Sequence, residues 1–258
     1  MSQGVAQGPD VAQADRCSAP FRVRFDEAGP DGCLRSSVLL RYAQDLAWDH
    51  SARQGFDREW YGERRLSWLV RAAEATVGGE IRVGDELIGT TQVVGWRRVW
   101  ARRQTEFRER AGALVASVQI DWVLLDERGA PTRIPGDFDP AFRAPRAAIV
   151  LGRVDPGTPT PEAHRASFTV RPQELDPMNH ANNAVYLDWL EEAVIGAGGQ
   201  NEVRATPRLA RLEYARPAGE GATVQTRTWR AAEGGWSCRI AEVGGSELLR
   251  ARLEKPGG

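Results

Sequence analysis

The feature that most restricts the fold is an internal repeat. Shifting the chain by 147 residues lays the segment that starts at Phe21, FRVRFDEAGPDGCLRSSVLLRYAQDLA, over the one that starts at Phe168, FTVRPQELDPMNHANNAVYLDWLEEAV, with no gap. Phe21 falls on Phe168, Val23 on Val170, Arg24 on Arg171, Pro30 on Pro177, Val38 on Val185 and Leu40 on Leu187, while Tyr42 meets Trp189. Such self-similarity marks one supersecondary unit used twice. The downstream pieces follow suit. Each copy has a strand carrying an Arg (Trp68 to Arg71, Arg208 to Arg211) and then a strand ending in Trp-Arg at Arg97 or Arg230. Each closes with a hairpin, turning near Gly112 in the first copy and at Gly244-Gly245 in the second.

Each half therefore reads as strand, turn, helix and a run of antiparallel strands. In the second half Val185, Trp189 and Ala193 form one row of the helix and Tyr186, Leu190 and Val194 the next, with Asp188, Glu191 and Glu192 opposite. A single helix cannot bury its apolar stripe alone, so the sheet must wrap it. Exposed sheet edges invite aggregation, so two such units are expected to join edge to edge. The expectation is an α+β chain with a disordered tail over 1–20, a first unit over 21–135, a Pro-rich extended linker over 136–165 and a second unit over 166–258.

Composition narrows the function. A formal net charge of −1 gives no global field for nucleic acid or a membrane surface, and no apolar run is long enough to span a bilayer. Cys17, Cys33 and Cys238 are odd in number and share no metal-ligand spacing, so they read as reduced thiols of a cytosolic protein. Three scattered His make no zinc set. There is no G-x-S-x-G elbow, Walker loop or dinucleotide fingerprint. No cofactor is expected.

The chemistry concentrates in LDPMNHANNAVYLDWLEE, from Leu175. An Asp-Pro turn signal leads into Asp176, Asn179, His180, Asn182 and Asn183 at the mouth of a helix read as Ala181 to Ala193. A helix start leaves amide N–H groups unpaired and partly positive. The other copy has the scaffold but not the cluster: Gly29 stands where Asp176 does, Cys33 where His180 does, and Arg35 and Ser36 where Asn182 and Asn183 do. One active site per chain is expected. An extra segment of the first copy, His50 to Ser67, is expected to shape a pocket wall.

These segments resemble the acyl-carrier-protein thioesterases, plant-type enzymes and their bacterial relatives, which are tandem hotdog folds. The resemblance covers about residues 21 to 254. It rests on FRVRFDEAGPDG, LRYAQDLAWDHSARQGF, GDELIGTTQVVGWRRVWARRQTEF and SVQIDWVLLDERGAPTRIP in the first half, and on LDPMNHANNAVYLDWLEE and RLEYARPA in the second. It implies a double hotdog whose second unit is catalytic, hydrolysing fatty acyl-ACP to free fatty acid and holo-ACP; the acyl chain is expected to lie between the two helices or inside the first unit, whose interior would then be the acyl-chain pocket. The family's Asp and His fall on Asp176 and His180. Its Asn falls on Met178, with Asn179 one place off, and a later Glu and Cys fall on Pro217 and Ala218. A Cys–His nucleophile therefore does not carry over.

The remaining expectation is that Asp176 acts as general base or attacks directly, that His180 and Asn179 orient water or thioester, and that Asn182 and Asn183 contact substrate. Amides at the helix start would polarise the carbonyl. Asp176 as a turn residue, and Asn182 and Asn183 as caps, are the competing structural roles. Arg97, Arg98, Arg102, Arg103, Arg108 and Arg110 read as a solvated face, or as a dock for an acidic carrier protein. Acyl-CoA as substrate, a non-catalytic acyl-binding role and a homodimer are the open alternatives.

Overall fold

The computed structural model describes residues 16–144 and 152–256. In the first unit β1 (Arg16–Arg22) leads to α1 (Ser36–Arg53) and the short α2 (Arg58–Arg64), followed by β2 (Ser67–Val77), β3 (Glu86–Arg97), β4 (Trp100–Glu109) and β5 (Leu114–Leu125). A five-residue helix, α3 (Phe138–Phe142), lies in the connector. The second unit has β6 (His164–Thr169), α4 (Asn183–Gly196), the short α5 (Gln200–Arg204), β7 (Arg208–Tyr214), β8 (Thr223–Arg230), β9 (Trp236–Glu242) and β10 (Glu247–Glu254).

All ten strands make one sheet in the order β1-β3-β4-β5-β2-β7-β10-β9-β8-β6. Read from either edge inward, each unit runs first, third, fourth, fifth, second strand. The units meet edge to edge where β2 pairs antiparallel with β7, from Ala72 opposite Glu213 to Val77 opposite Arg208. This is a tandem hotdog, with each long helix laid against its own half of the sheet.

The repeat holds to the atom. Single-turn helices at Phe25–Glu27 and Pro172–Glu174 occupy matching places. In each, a glutamate accepts the Arg amide at the turn's entry: Arg24 N–H to Glu27 Oε2, and Arg171 N–H to Glu174 Oε2, both 2.8 Å. Phe21 stacks on Tyr42 at 4.2 Å between centroids, and its counterpart Phe168 on Trp189 at 5.9 Å. Across the pseudo-twofold, Arg41 of α1 bonds Asp188 of α4 at 3.0 Å, a pair separated by 147 residues, which is the repeat offset itself.

Two expectations change. The tail was expected to reach residue 20, but residues 16–20 belong to β1, because β3 offers them an edge to pair with and Cys17 is buried beneath it; residues 1–15 lie outside the described ones. The connector is not simply extended. Phe138 and Phe142 turn it into α3 by burying against Phe56, with centroids 4.1 and 5.6 Å away, and His164 already belongs to β6. Residues 145–151 lie outside the described ones; beyond them the Val154 amide donates to Glu213 of β7 at 3.0 Å, carrying the chain over the outer face of the sheet. The charged side of α4 is only partly open to water: Glu192 is exposed, while α1 packs against the helix and leaves Asp188 and Glu191 half-buried.

The packing of α1 on α4 leaves a mark on stability. Glu191 lies between the two helices, beside Ser36 and Arg208, and one of its carboxylate oxygens is buried without a partner. Desolvation pushes its carboxyl up to about 7, against partial relief from Ser36 and Arg208. The folded chain thus holds this proton more tightly than the unfolded chain does. The associated stability is fully present below the ordinary value of 4.5 and is lost as pH rises through about 7. Glu191→Gln is expected to raise the unfolding free energy by ~1–3 kcal/mol at pH 8, with the gain vanishing near pH 4. Urea titrations at the two pH values check it; an equal gain at both would mean the carboxyl is not strained.

Candidate functional site

The DPMNHANN stretch folds as a tight loop closed by a bridge between Leu175 and Ala181. The Asp176 amide donates to the His180 carbonyl at 2.8 Å, and the Asn179 amide to the Asp176 carbonyl at 2.9 Å. Asn179 sits at φ 62°, the left-handed conformation that Asn tolerates better than most residues. The first unit makes the same loop with Gly29, Gly32 and Cys33 in the places of Asp176, Asn179 and His180: Gly29 N–H to Cys33 O, and Gly32 N–H to Gly29 O, both 2.9 Å. Gly32 adopts φ 76° where Asn179 adopts 62°. The loop thus forms with or without a carboxylate at its start.

In the second unit the Asp176 carboxylate is half-buried, and its Oδ1 accepts the amides of Met178 (2.8 Å) and His180 (3.2 Å). Its other oxygen has no protein donor among the described hydrogen bonds. Asp176, Met178, His180, Ala181 and Asn183 all line one cavity of about 480 Å³. The structure does not bring Asn179 or Asn182 to that wall. Asn179 is exposed, serving the turn. Asn182 caps α4, its Oδ1 accepting the Ala184 amide at 2.9 Å. Loss of a cap typically costs about 1 kcal/mol. Asn182→Ala is expected to lower stability by that amount while leaving KM for a thioester within about twofold; a large rise in KM at full stability would restore a substrate contact.

Most amides at the helix start are already used. Ala181 N–H donates to Ala218 O and Asn182 N–H to Glu174 O, both at 2.8 Å, and Ala184 N–H is taken by the cap. Asn183 N–H is the one left without a protein acceptor among the described hydrogen bonds of the loop and first turn. Two tyrosines fix its position. The Tyr214 hydroxyl donates to the Asn183 carbonyl at 2.9 Å, and the Tyr186 hydroxyl accepts the Ala218 amide at 2.8 Å. Both tyrosines line the cavity. Burial pushes Tyr186 up to about 12 and Tyr214 also upward, so neither is a base near neutral pH. Arg71 of β2 donates to the Tyr214 carbonyl, tying the first unit to the site of the second. Sequence reasoning missed the role of Tyr214; its only signal was the place of the tyrosine in RLEYARPA, at the end of an inward-facing strand. Ala218, one of the two positions where the resemblance expects a Glu and a Cys, serves through its backbone.

Ala215, Arg216 and Pro217 of the second unit complete its share of the wall, and most of the rest comes from the first unit and the connector: Ala47, Trp48 and Ser51 of α1, Tyr61 of α2, Trp68 and Val70 of β2, and Phe138 and Phe142 of α3 among others. The segment from His50 to Ser67 does supply part of this wall, through Ser51, Arg58, Tyr61, Gly62, Leu66 and Ser67. Of the six arginines named from the sequence, Arg97, Arg98, Arg108 and Arg110 are exposed, Arg102 is half-buried and Arg103 leaves that face. Arg102 holds Asp121 through two bonds of 2.6 and 2.7 Å, Arg108 pairs with Glu106, and Arg110 with Glu86. Arg103 turns inward and is buried, because the strand's alternation puts it on the face that carries Thr105 and Phe107.

Residues 15–140 match the acyl-ACP thioesterase N-terminal domain, and residues 157–253 the acyl-ACP thioesterase C-terminal domain. Among curated relatives, a palmitoyl-acyl carrier protein thioesterase of Arabidopsis thaliana is 23% identical over 81% of this chain and 53% of its own length. A dodecanoyl-[acyl-carrier-protein] hydrolase of Umbellularia californica is 24% identical over 91% of this chain and 66% of its own. The chain thus spans about half to two thirds of the length of these relatives. Among solved structures, an acyl-ACP thioesterase from Bacteroides thetaiotaomicron superposes with a TM-score of 0.78 at 13% identity, covering 93% of this chain and 97% of that one. The 12:0-ACP thioesterase from Umbellularia californica gives 0.78 at 22% identity, covering 93% and 96%. Matched in both halves, the chain belongs to the acyl-ACP thioesterase family.

Proposed function

We propose that this protein hydrolyses fatty acyl-ACP to free fatty acid and holo-ACP, with Asp176 as general base. The observation that carries the reading is that Asp176, with one carboxylate oxygen free of protein donors, and Asn183, whose helix-start amide is uncommitted among the described hydrogen bonds, both line one largely apolar cavity. A thioester carbonyl placed against Asn183 N–H gains charge stabilisation as its oxygen becomes negative, an effect typically worth roughly 3–4 kcal/mol per donor. Water held by the second oxygen of Asp176 loses its proton to that carboxylate as it attacks the carbonyl carbon, and the thiolate leaves. His180, beside Asp176 on the same wall, orients the water or the thioester. The acyl chain extends into the part of the cavity walled by the first unit, away from bulk water.

The exposed Arg58 and Arg216 also line the cavity, and they suit the phosphate of a pantetheine arm or the acidic surface of a carrier better than the paired arginines of β4 do. A cytosolic setting, drawn from the unpaired thiols, is part of the same proposal. The test is thiol release from acyl-ACP and acyl-CoA esters of graded length. Faster release from acyl-ACP supports the proposal, preference for coenzyme A moves it to an acyl-CoA thioesterase, and tight binding without thiol release would make the protein an acyl binder.

A further inference from the structure

The first unit's wall contains a cation where an apolar residue would serve a plain hydrocarbon chain. Arg103 lines the cavity and is only 7% exposed. One of its guanidinium nitrogens is 2.8 Å from His50 Nδ1, and its guanidinium carbon stands 5.7 Å from the centre of the Phe142 ring. No carboxylate among the described residues pairs with it: the nearby Asp49 is engaged by Arg53 at 2.6 Å and by the Cys17 thiol at 3.4 Å. His50 is 1% exposed, and its Nε2 has no partner among the described residues. Tyr61, also on this wall, accepts the indole N–H of Trp68 at 2.9 Å.

A guanidinium carries five N–H donors, and burying one without a counter-charge is expensive unless those donors are met. Burial and the neighbouring Arg103 push His50 down to about 4, so the ring is neutral near neutral pH and offers the guanidinium a single lone pair. Burial also lowers Arg103, but only to about 10, so it remains charged. The pair thus keeps a net positive charge, with His50 the one side chain that bonds the guanidinium among the described hydrogen bonds, on a wall that is mostly aromatic and aliphatic. Met or Leu at this position would line the cavity for an alkyl chain with no desolvation penalty.

We infer that the cavity takes acyl groups bearing an oxygen acceptor, best a carboxylate, at a point remote from the thioester, and that Arg103 is the residue that recognises it. This rests on the proposed thioesterase reading only for the orientation of the ligand.

The test uses the full chain and two kinds of probe. In binding, monomethyl octanedioate is compared with methyl octanoate by calorimetry, so that only the distal group differs in charge. In turnover, the N-acetylcysteamine thioester of octanoic acid is compared with the mono-thioester of octanedioic acid. The wild type is expected to favour the carboxylated probe at least ~10-fold in affinity and in kcat/KM, the range of a charge-assisted hydrogen bond. Arg103→Met is expected to abolish that preference while binding the plain ester as well as before or better, and Arg103→Lys to retain part of it. Equal affinity of the wild type for the two esters overturns the inference and needs no variant that folds. Equal weakening of both esters in Arg103→Met also overturns it, leaving Arg103 as a support for α1. Hydrolysis of the plain thioester without a carboxylate preference leaves the thioesterase proposal standing alone. Arg103-dependent binding of the carboxylated ester with no thiol released leaves the recognition site standing alone.

Discussion

Asp176→Asn is expected to lower kcat on a saturating acyl thioester by ~10²–10⁴-fold, the usual worth of a positioned general base, with the unfolding midpoint essentially unchanged. The substitution isolates chemistry from structure. The Met178 and His180 amides both bond to Asp176 Oδ1, and the side-chain carbonyl of Asn can accept both. What changes is the second oxygen, which becomes an amide nitrogen and can no longer take a proton from water. The first unit supplies a further reason to expect an intact loop, since Gly29 opens the same turn with no side chain at all. KM is expected to move little, because the acyl chain makes its contacts elsewhere on the cavity wall. An Asp176→Asn protein with wild-type midpoint and full turnover would remove the carboxylate from the mechanism. A protein that loses activity only in step with its stability would return Asp176 to the turn.

The fold was legible because duplication writes the same constraints twice. The offset that aligns Phe21 with Phe168 also aligns the two single-turn helices, the two loop closures and the aromatic pairs on each helix. The pairing of Glu27 with Glu174 belongs to the same pattern and shows its meaning only as the amide acceptor at each turn's entry. The site was legible in part. A polar cluster absent from one copy pointed to Asp176 and His180, and both stand on the cavity wall. Which of the neighbouring asparagines reach that wall was not legible, because facing is decided by backbone conformation: φ 62° turns Asn179 away, and the cap geometry occupies Asn182. Arg103 was hidden for another reason. In ARRQTEFRER a buried arginine looks like its solvated neighbours, and only the strand's register against α1 separates them. The burial of Glu191 was not legible either, since helical periodicity names a polar face but not what packs on it.

The cavity itself makes the second strong claim. Ala47 lies on α1, is 7% exposed and lines the space that the proposal gives to the acyl chain. Ala47→Phe puts a ring into that space. Each methylene kept from an apolar surface forfeits about 0.8 kcal/mol, so excluding four of them costs ~3 kcal/mol, or ~100-fold in kcat/KM. The loss is expected only for chains long enough to reach α1; the shortest thioesters, whose carbonyl still meets Asn183 and Asp176, keep wild-type rates. Because the ring enters a hollow rather than a packed core, the usual penalty of ~1–3 kcal/mol for an oversized residue should be largely avoided. Turnover measured across a series of acyl lengths decides the matter. A profile that bends downward with length ties the hydrocarbon to the first unit's cavity. A uniform drop at every length, or none at all, would mean that the chain leaves the site by another route, and the division of labour between the two units would have to be redrawn.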